Sequence, residues 1–184
     1  MRVTIYDKNP GEGFMQWCLK TSWLLGCVFQ KLVGAVDAYH GAESWADAKA
    51  WLQSRGEPIT VLQYWGHGSP GIVWLANNPI PTTEWLTLKS ILLPDSLVWL
   101  RVCEAFKGPS GQVFAKRLAD GLGCTIGAHT RVVGLFQGGL YTIKPNTMPS
   151  WPVDEGMMPT WRPDFQPWLK HTILCLQWWI PKGW

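Results

Sequence analysis

The sequence predicts an α/β fold, a three-layer α/β/α sandwich with a mainly parallel central sheet. Strand-like runs rich in aliphatic and aromatic residues recur at 2–7, 59–65, 96–102 and 124–130. Between them lie stretches whose apolar residues return every three or four positions, the helical period. Glycine and proline punctuate the joins, and strands that alternate with helices favour a parallel sheet covered on both faces.

RVTIYD, at 2–7, forms a first strand; its single basic residue followed at once by alternation does not read as a secretory signal. After a Gly and Pro break at 9–13, Phe14, Cys18, Leu25, Val28, Phe29, Leu32 and Val36 predict a long helix with one apolar face. Ser44 with Asp47 three residues on makes a capping-box start. Trp45, Ala48, Trp51 and Leu52 then line a short helix that ends before Gly56. The second strand is 59–65, and GIVWLA, at 71–76, returns beside it as a short hairpin arm. PIPTTEWLTLKSIL supplies a helix capped by Thr82 or Thr83, with Trp85, Leu88 and Leu92 on one side. The third main strand, 96–102, ends at Cys103, and 104–111 is a loop. A helix from about Gln112 to Leu122 turns Phe114, Leu118 and Leu122 inward and is closed by Gly121 and Gly123; a fourth strand comes next at 124–130.

Beyond Lys144 the character changes. Residues 145–168 hold six prolines with Trp151, Trp161 and Trp168, which suits an extended segment wrapped over the body. The chain therefore reads as one domain, a body at 1–144 and an extension at 145–184. The stretch 167–179 fits a helix or a strand, and periodicity does not choose. The fourteen tryptophans are read as core filling.

Composition narrows the function. At 184 residues the chain is long enough to bury a real core. A net charge of +3 with no Lys/Arg stripe gives no nucleic-acid footprint. The apolar stretch at 22–36 is interrupted by Gln30 and Lys31, so no membrane span is expected. Five cysteines with no C-x-x-C pair argue against a disulfide framework or zinc knuckle and suit a reducing cytoplasm. Four scattered histidines suggest no metal site, and no cofactor is expected. Cys18, Cys27, Cys124 and Cys175 sit in apolar settings and read as core.

His67 and Cys103 each come directly after a predicted central strand. In a parallel sheet both emerge at the carboxyl edge, where open α/β sheets place their sites. A thiol beside an imidazole is a nucleophile with its base. Gly68, lacking a side chain, lets its N–H approach a substrate carbonyl, and with the N–H of Cys103 it forms a candidate oxyanion site. Arg101 lies two before Cys103, on the same side of an alternating strand, and suits an acidic substrate side chain.

An apolar strand, His-Gly, and a second apolar strand ending in Cys 36 positions later resemble the caspase-like cysteine peptidases, including the bacterial CHAT-type members related to separase. GQVFAKRLADGLGCTIGAHTRVVG is similar to the helix, strand and small-residue turn after the CHAT-type Cys, so the resemblance spans roughly 59–134. It implies a caspase-like fold and an endopeptidase acting on a protein or peptide substrate, with His67 as general base and Cys103 as nucleophile. Relatives that cut after basic residues carry an acidic pocket residue near the position of Asp7, which opposes the reading of Arg101. Glu104 and Arg131 are lesser substrate-binding candidates, and His129 a structural or supporting one. The chain reads Arg101-Val102-Cys103-Glu104-Ala105 where caspases carry Gln-Ala-Cys-Arg-Gly, which argues against a true caspase. With no activation linker evident, a single uncleaved chain is expected.

Two other readings stand beside the peptidase. HGSPG, at 67–71, also resembles the oxyanion loop of α/β-hydrolase esterases, but no G-x-S-x-G elbow exists here. A catalytically silent caspase-like scaffold, using the Trp-rich extension as an interaction surface, is the non-enzymatic alternative.

Overall fold

The computed structural model describes residues 1–157 and 171–183. A six-stranded sheet runs through it, built from β1 (Arg2–Asp7), β2 (Ala38–Ala42), β3 (Ile59–Trp65), β7 (Leu92–Arg101), β8 (Thr125–His129) and β10 (Leu140–Ile143). Their order across the sheet is β10-β8-β7-β3-β1-β2. Every pairing is parallel except that of β10 with β8. Between β3 and β7 the chain folds β4 (His67–Ser69), β5 (Ile72–Leu75) and β6 (Asn78–Pro79) into a small antiparallel sheet. A two-stranded patch joins β9 (Phe136–Gln137) to β11 (Ile173–Leu174).

Strand alternation gives the sheet two unlike faces. On one, Val3, Ile5, Leu62, Tyr64, Val98, Leu100, Ile126 and Ala128 form the main core with three helices. These are α2 (Trp45–Gln53), α3 (Thr82–Leu86) and α4 (Gly108–Leu122). The opposite face carries Thr4, Gln63, Arg101 and His129, all buried, among Tyr6, Trp65 and Trp99. There α1 (Phe14–Leu32) packs Trp23 and Cys27 on Tyr6 and Trp65, while Ile173 and Ile180 of the C-terminal segment pack with Trp99 and Leu140. The expected α/β architecture and mainly parallel sheet are present, but among the described residues the second layer has α1 as its one helix, completed by extended chain.

Several local expectations change. Strand β2 was not foreseen: AYHGA is a short edge strand of weak apolar character, whose Gly41 admits the ring of Tyr6 (an added Cβ would sit 2.5 Å from it). The apolar face that periodicity picks out on α1 turns largely outward, with Phe14 75%, Leu25 62% and Leu32 79% exposed. The helix is instead drawn down on its small-residue side, because a Cβ on Gly26 would meet Trp65 at 2.4 Å. Neither Thr82 nor Thr83 caps α3; Pro81 occupies the N-cap, and a 3₁₀ turn, Thr87–Ile91, continues the helix. Helix α4 begins at Gly108, ahead of Gln112, since Gly111 serves close packing on the Phe106 backbone rather than a loop. Gly123, in the left-handed conformation, ends it as expected. The stretch 171–179 contributes strand β11, and Trp151 is buried against Phe106, whereas Trp161 and Trp168 lie outside the described residues. Cys27 and Cys124 are core, but Cys18 and Cys175 are only partly buried. No helix among the described residues is long and apolar enough to cross a membrane.

His129 explains one feature of the polar face. Its Nδ1 lies 3.1 Å from the Gly138 carbonyl and its Nε2 faces the Trp99 indole N–H at 3.4 Å, so the neutral ring donates once and accepts once. A proton on Nε2 would set N–H against N–H. Burial, with Arg101 nearby, pulls its pKa down to about 3 from the ordinary 6.5. The unfolded chain then binds this proton first, so its stabilisation is complete above about pH 6.5 and is lost as pH falls towards 3. Denaturant titrations between pH 7 and 4 should show stability falling by roughly 1 kcal/mol per pH unit from this group. His129→Asn should start less stable and lose much of that slope; an unchanged slope would refute the assignment.

Candidate functional site

His67 begins β4 two residues beyond the end of β3, and Cys103 lies two residues beyond β7. Because β3 and β7 are parallel neighbours, with Trp65 in register with Arg101, both side chains arrive at the same sheet edge. They line one cavity of about 460 Å³ between α1, the segment 132–137 and Cys175–Leu176 of the C-terminal segment. The hairpin is pressed onto the thiol-bearing chain: a Cβ on Gly68 would lie 2.5 Å from the Cys103 carbonyl oxygen. Only glycine fits there.

The turn after Cys103 is strained. Glu104 has φ 56°, the left-handed region, which for a non-glycine residue costs on the order of 1 kcal/mol. Backbone bonds hold it, with Glu104 N–H donating to Arg131 O at 3.1 Å and Phe106 N–H to His129 O at 3.0 Å. Gly71 N–H of the hairpin donates to Ala105 O at 3.1 Å, so hairpin and turn brace each other.

His67 is gripped by α1. Its Nε2 lies 3.0 Å from Gln16 Oε1, and its ring meets the edge of Trp23 with centroids 5.6 Å apart. An oxygen acceptor at Nε2 calls for a proton on that nitrogen, which leaves Nδ1 free to accept another. Burial lowers the pKa of His67, opposed by the charge of Asp7. Burial raises the thiol of Cys103, with Glu104 adding and the Val133 N–H, 3.5 Å from Sγ, opposing. Both groups therefore rest uncharged near neutral pH. Gln16 was missed in the sequence, where nothing separates it from any polar residue in the first turn of a helix.

Arg101 also lines the cavity, yet it is 2% exposed and stacked between Trp65 and Trp99 at 4.6 and 4.3 Å from their centroids. Nε donates to Gln137 Oε1 at 3.0 Å; Nη1 donates to Gln63 Oε1 at 3.2 Å and Gln177 O at 2.7 Å. Nη2 donates to Leu174 O at 3.3 Å and to Cys175 O. Burial pulls its pKa down to about 9, and no carboxylate pairs with it among the described residues.

The remaining candidates are not brought to this cavity. Asp7 is buried, and its carboxylate accepts from Asn9 N–H at 2.9 Å and Ala76 N–H at 3.1 Å. Ala76 and Asn77 both have positive φ, so Asp7 braces the tight turn between β5 and β6. Glu104 pairs with Lys107 at 2.6 Å, and Arg131 with Glu155 at 3.3 Å. His129 is wholly buried and does not line the cavity; its carbonyl accepts from the Phe106 N–H. Among the described residues no cluster of three or more His, Cys, Asp or Glu has the makings of a metal site.

No family model matches the chain, and no curated protein or solved structure matches it. The chemistry of the cavity is therefore the ground for a functional reading. The raised thiol gives a direct check. Alkylation of Cys103 by iodoacetamide, followed by peptide mass mapping, should be slow at pH 7 and climb about tenfold per pH unit to pH 8.5, as the thiolate fraction does. Cys27 and Cys124, pushed up to about 12 and about 11, should stay unmodified in folded protein. A plateau below pH 7 would mean a preformed thiolate and refute the neutral pair.

Proposed function

We propose that this chain is a caspase-like cysteine endopeptidase with a His67/Cys103 dyad. The observation that carries the reading is that these two side chains, released from the ends of adjacent parallel strands, line one cavity.

In the proposed reaction His67 Nδ1 takes the proton of the Cys103 thiol as sulfur attacks the scissile carbonyl carbon. The C=O π pair moves to oxygen, giving a tetrahedral oxyanion. The N–H groups of Gly68 and Cys103 are the proposed donors to it, held on adjoining chain by the close approach of Gly68. Collapse breaks the C–N bond, and the imidazolium returns its proton to the departing amine, leaving a thioester on Cys103. Water, deprotonated by His67, then hydrolyses that thioester and restores the thiol. Gln16 acts as a positioning residue. By accepting from Nε2 it keeps Nδ1 unprotonated and aimed, and it stabilises the imidazolium formed in each half-reaction.

Incubating wild type and Cys103→Ala with a mixed peptide library, with products read by mass spectrometry, tests the reaction class. Cleavage present in the first and absent in the second is expected; no cleavage by folded wild type would sink the proposal in favour of a scaffold. Gln16→Ala should lower kcat roughly tenfold, the value of one hydrogen bond of about 1.4 kcal/mol, with KM little changed. Gln16→Glu should raise the pKa of His67 and move the acid limb of the kcat/KM profile to higher pH. A limb that stays put would show that Gln16 only supports the fold.

A further inference from the structure

We infer that the cavity beside Cys103 takes a large apolar side chain, so that the enzyme cuts after residues such as leucine, methionine or phenylalanine. The inference rests on the peptidase reading and names its substrate class.

Charge recognition is ruled out by the state of Arg101. Among the described residues of the cavity lining, with His67 and Cys103 uncharged, its guanidinium is the one charged side chain, and a guanidinium has five N–H donors. All five are spent: one on Gln137, two on Gln63 Oε1 and Gln177 O, two on Leu174 O and Cys175 O. An acidic substrate side chain would find no free donor and would lose its hydration on entry. To be bound it would have to strip the C-terminal segment from the arginine. A basic side chain would fare no better, since it would face a buried cation with no carboxylate on the lining, Asp7 being engaged at the β5–β6 turn.

What the cavity does offer is apolar contact. Its lining includes Leu19 and Trp23 of α1, Trp65 of β3, and Val133, Leu135 and Leu176. The volume of about 460 Å³ leaves room for a leucine or aromatic side chain with neighbouring substrate backbone. Cys103 and His67 stand on its lining, so a side chain seated there belongs to a residue next to the attacked carbonyl. The guanidinium thus shapes the site through the Trp65 indole stacked on it and the C-terminal segment it holds, and with all its donors engaged it offers the substrate no free hydrogen bond.

The full chain should be assayed with five peptides identical except for Leu, Phe, Ala, Asp or Arg before the scissile bond. Leu and Phe are expected to exceed Ala in kcat/KM by on the order of 10- to 100-fold, the yield of burying such a side chain, with Asp and Arg below Ala. Preference for Asp or Arg, or equal rates for all five, would overturn this inference and leave the peptidase standing. Cleavage of none by folded protein would overturn both. Ser22, exposed on α1 at the cavity rim, gives a second test: Ser22→Trp fills the space and should abolish the Leu and Phe advantage while sparing Ala. An advantage that survives this substitution would place the apolar subsite elsewhere.

Discussion

The guanidinium of Arg101 is the interaction on which the site-bearing face depends. A cation buried without a counter-charge is costly unless every donor is met. Here the donors reach β3 through Gln63, β9 through Gln137 and the C-terminal segment through three carbonyls, so one residue at the end of β7 ties together four parts of the chain. Gln63 extends the network in two directions, donating to Gln30 of α1 and accepting from the Trp65 indole. Removing the guanidinium would take a donor from Gln137 Oε1 and from the Cys175 and Gln177 carbonyls, while Gln63 Oε1 would keep the Trp65 indole and Leu174 O the Gln177 N–H. The position of the segment 174–177, and with it one side of the cavity, follows from satisfying that single charge.

The same alternation that makes one sheet face a uniform hydrocarbon core forces the other to hold polar groups. Even-numbered positions of β3 and β7 point to α2 and α4, while Gln63, Trp65, Trp99 and Arg101 point to α1 and the extended chain. A face built this way is not filled by helices alone, because helices would leave the amides and the guanidinium unmatched; extended backbone supplies carbonyls instead. The gap between α1 and that backbone is the cavity. The site is therefore a consequence of how the sheet is covered, at the edge where β3 and β7 release His67 and Cys103.

Much of this was legible in the sequence. The strands β1, β3, β7 and β8, the capping of α2 by Ser44, the end of α4 at Gly123 and the arrival of His67 and Cys103 at one edge all depend on local pattern. The features that were not legible depend on partners far along the chain. Arg101 alternates to the side expected, but nothing near it in sequence tells that carbonyls 73 to 76 residues away consume its donors. Asp7 looks like an acidic pocket residue until the hairpin at Ala76, 69 positions on, claims its oxygen. Periodicity located the apolar stripe of α1 without saying which side packs, and Gly26 under Trp65 decided it the other way.

The electrostatic condition of the proposed dyad follows from the same burial. A shared, partly buried setting disfavours the charged form of each member, raising the thiol and lowering the imidazole, so the ion pair is not the resting state. Asp7 offsets this on the imidazole side by charge alone, since its oxygens are committed to backbone N–H groups, and Gln16 offsets it by accepting from Nε2. In the proposed reaction the imidazolium is thus supported by one through-space anion and one hydrogen bond, while on the thiol side the Val133 N–H lies 3.5 Å from Sγ. For a neutral pair, charge develops only as sulfur meets a carbonyl, so reactivity is coupled to the presence of a substrate carbon rather than to a standing thiolate open to any electrophile.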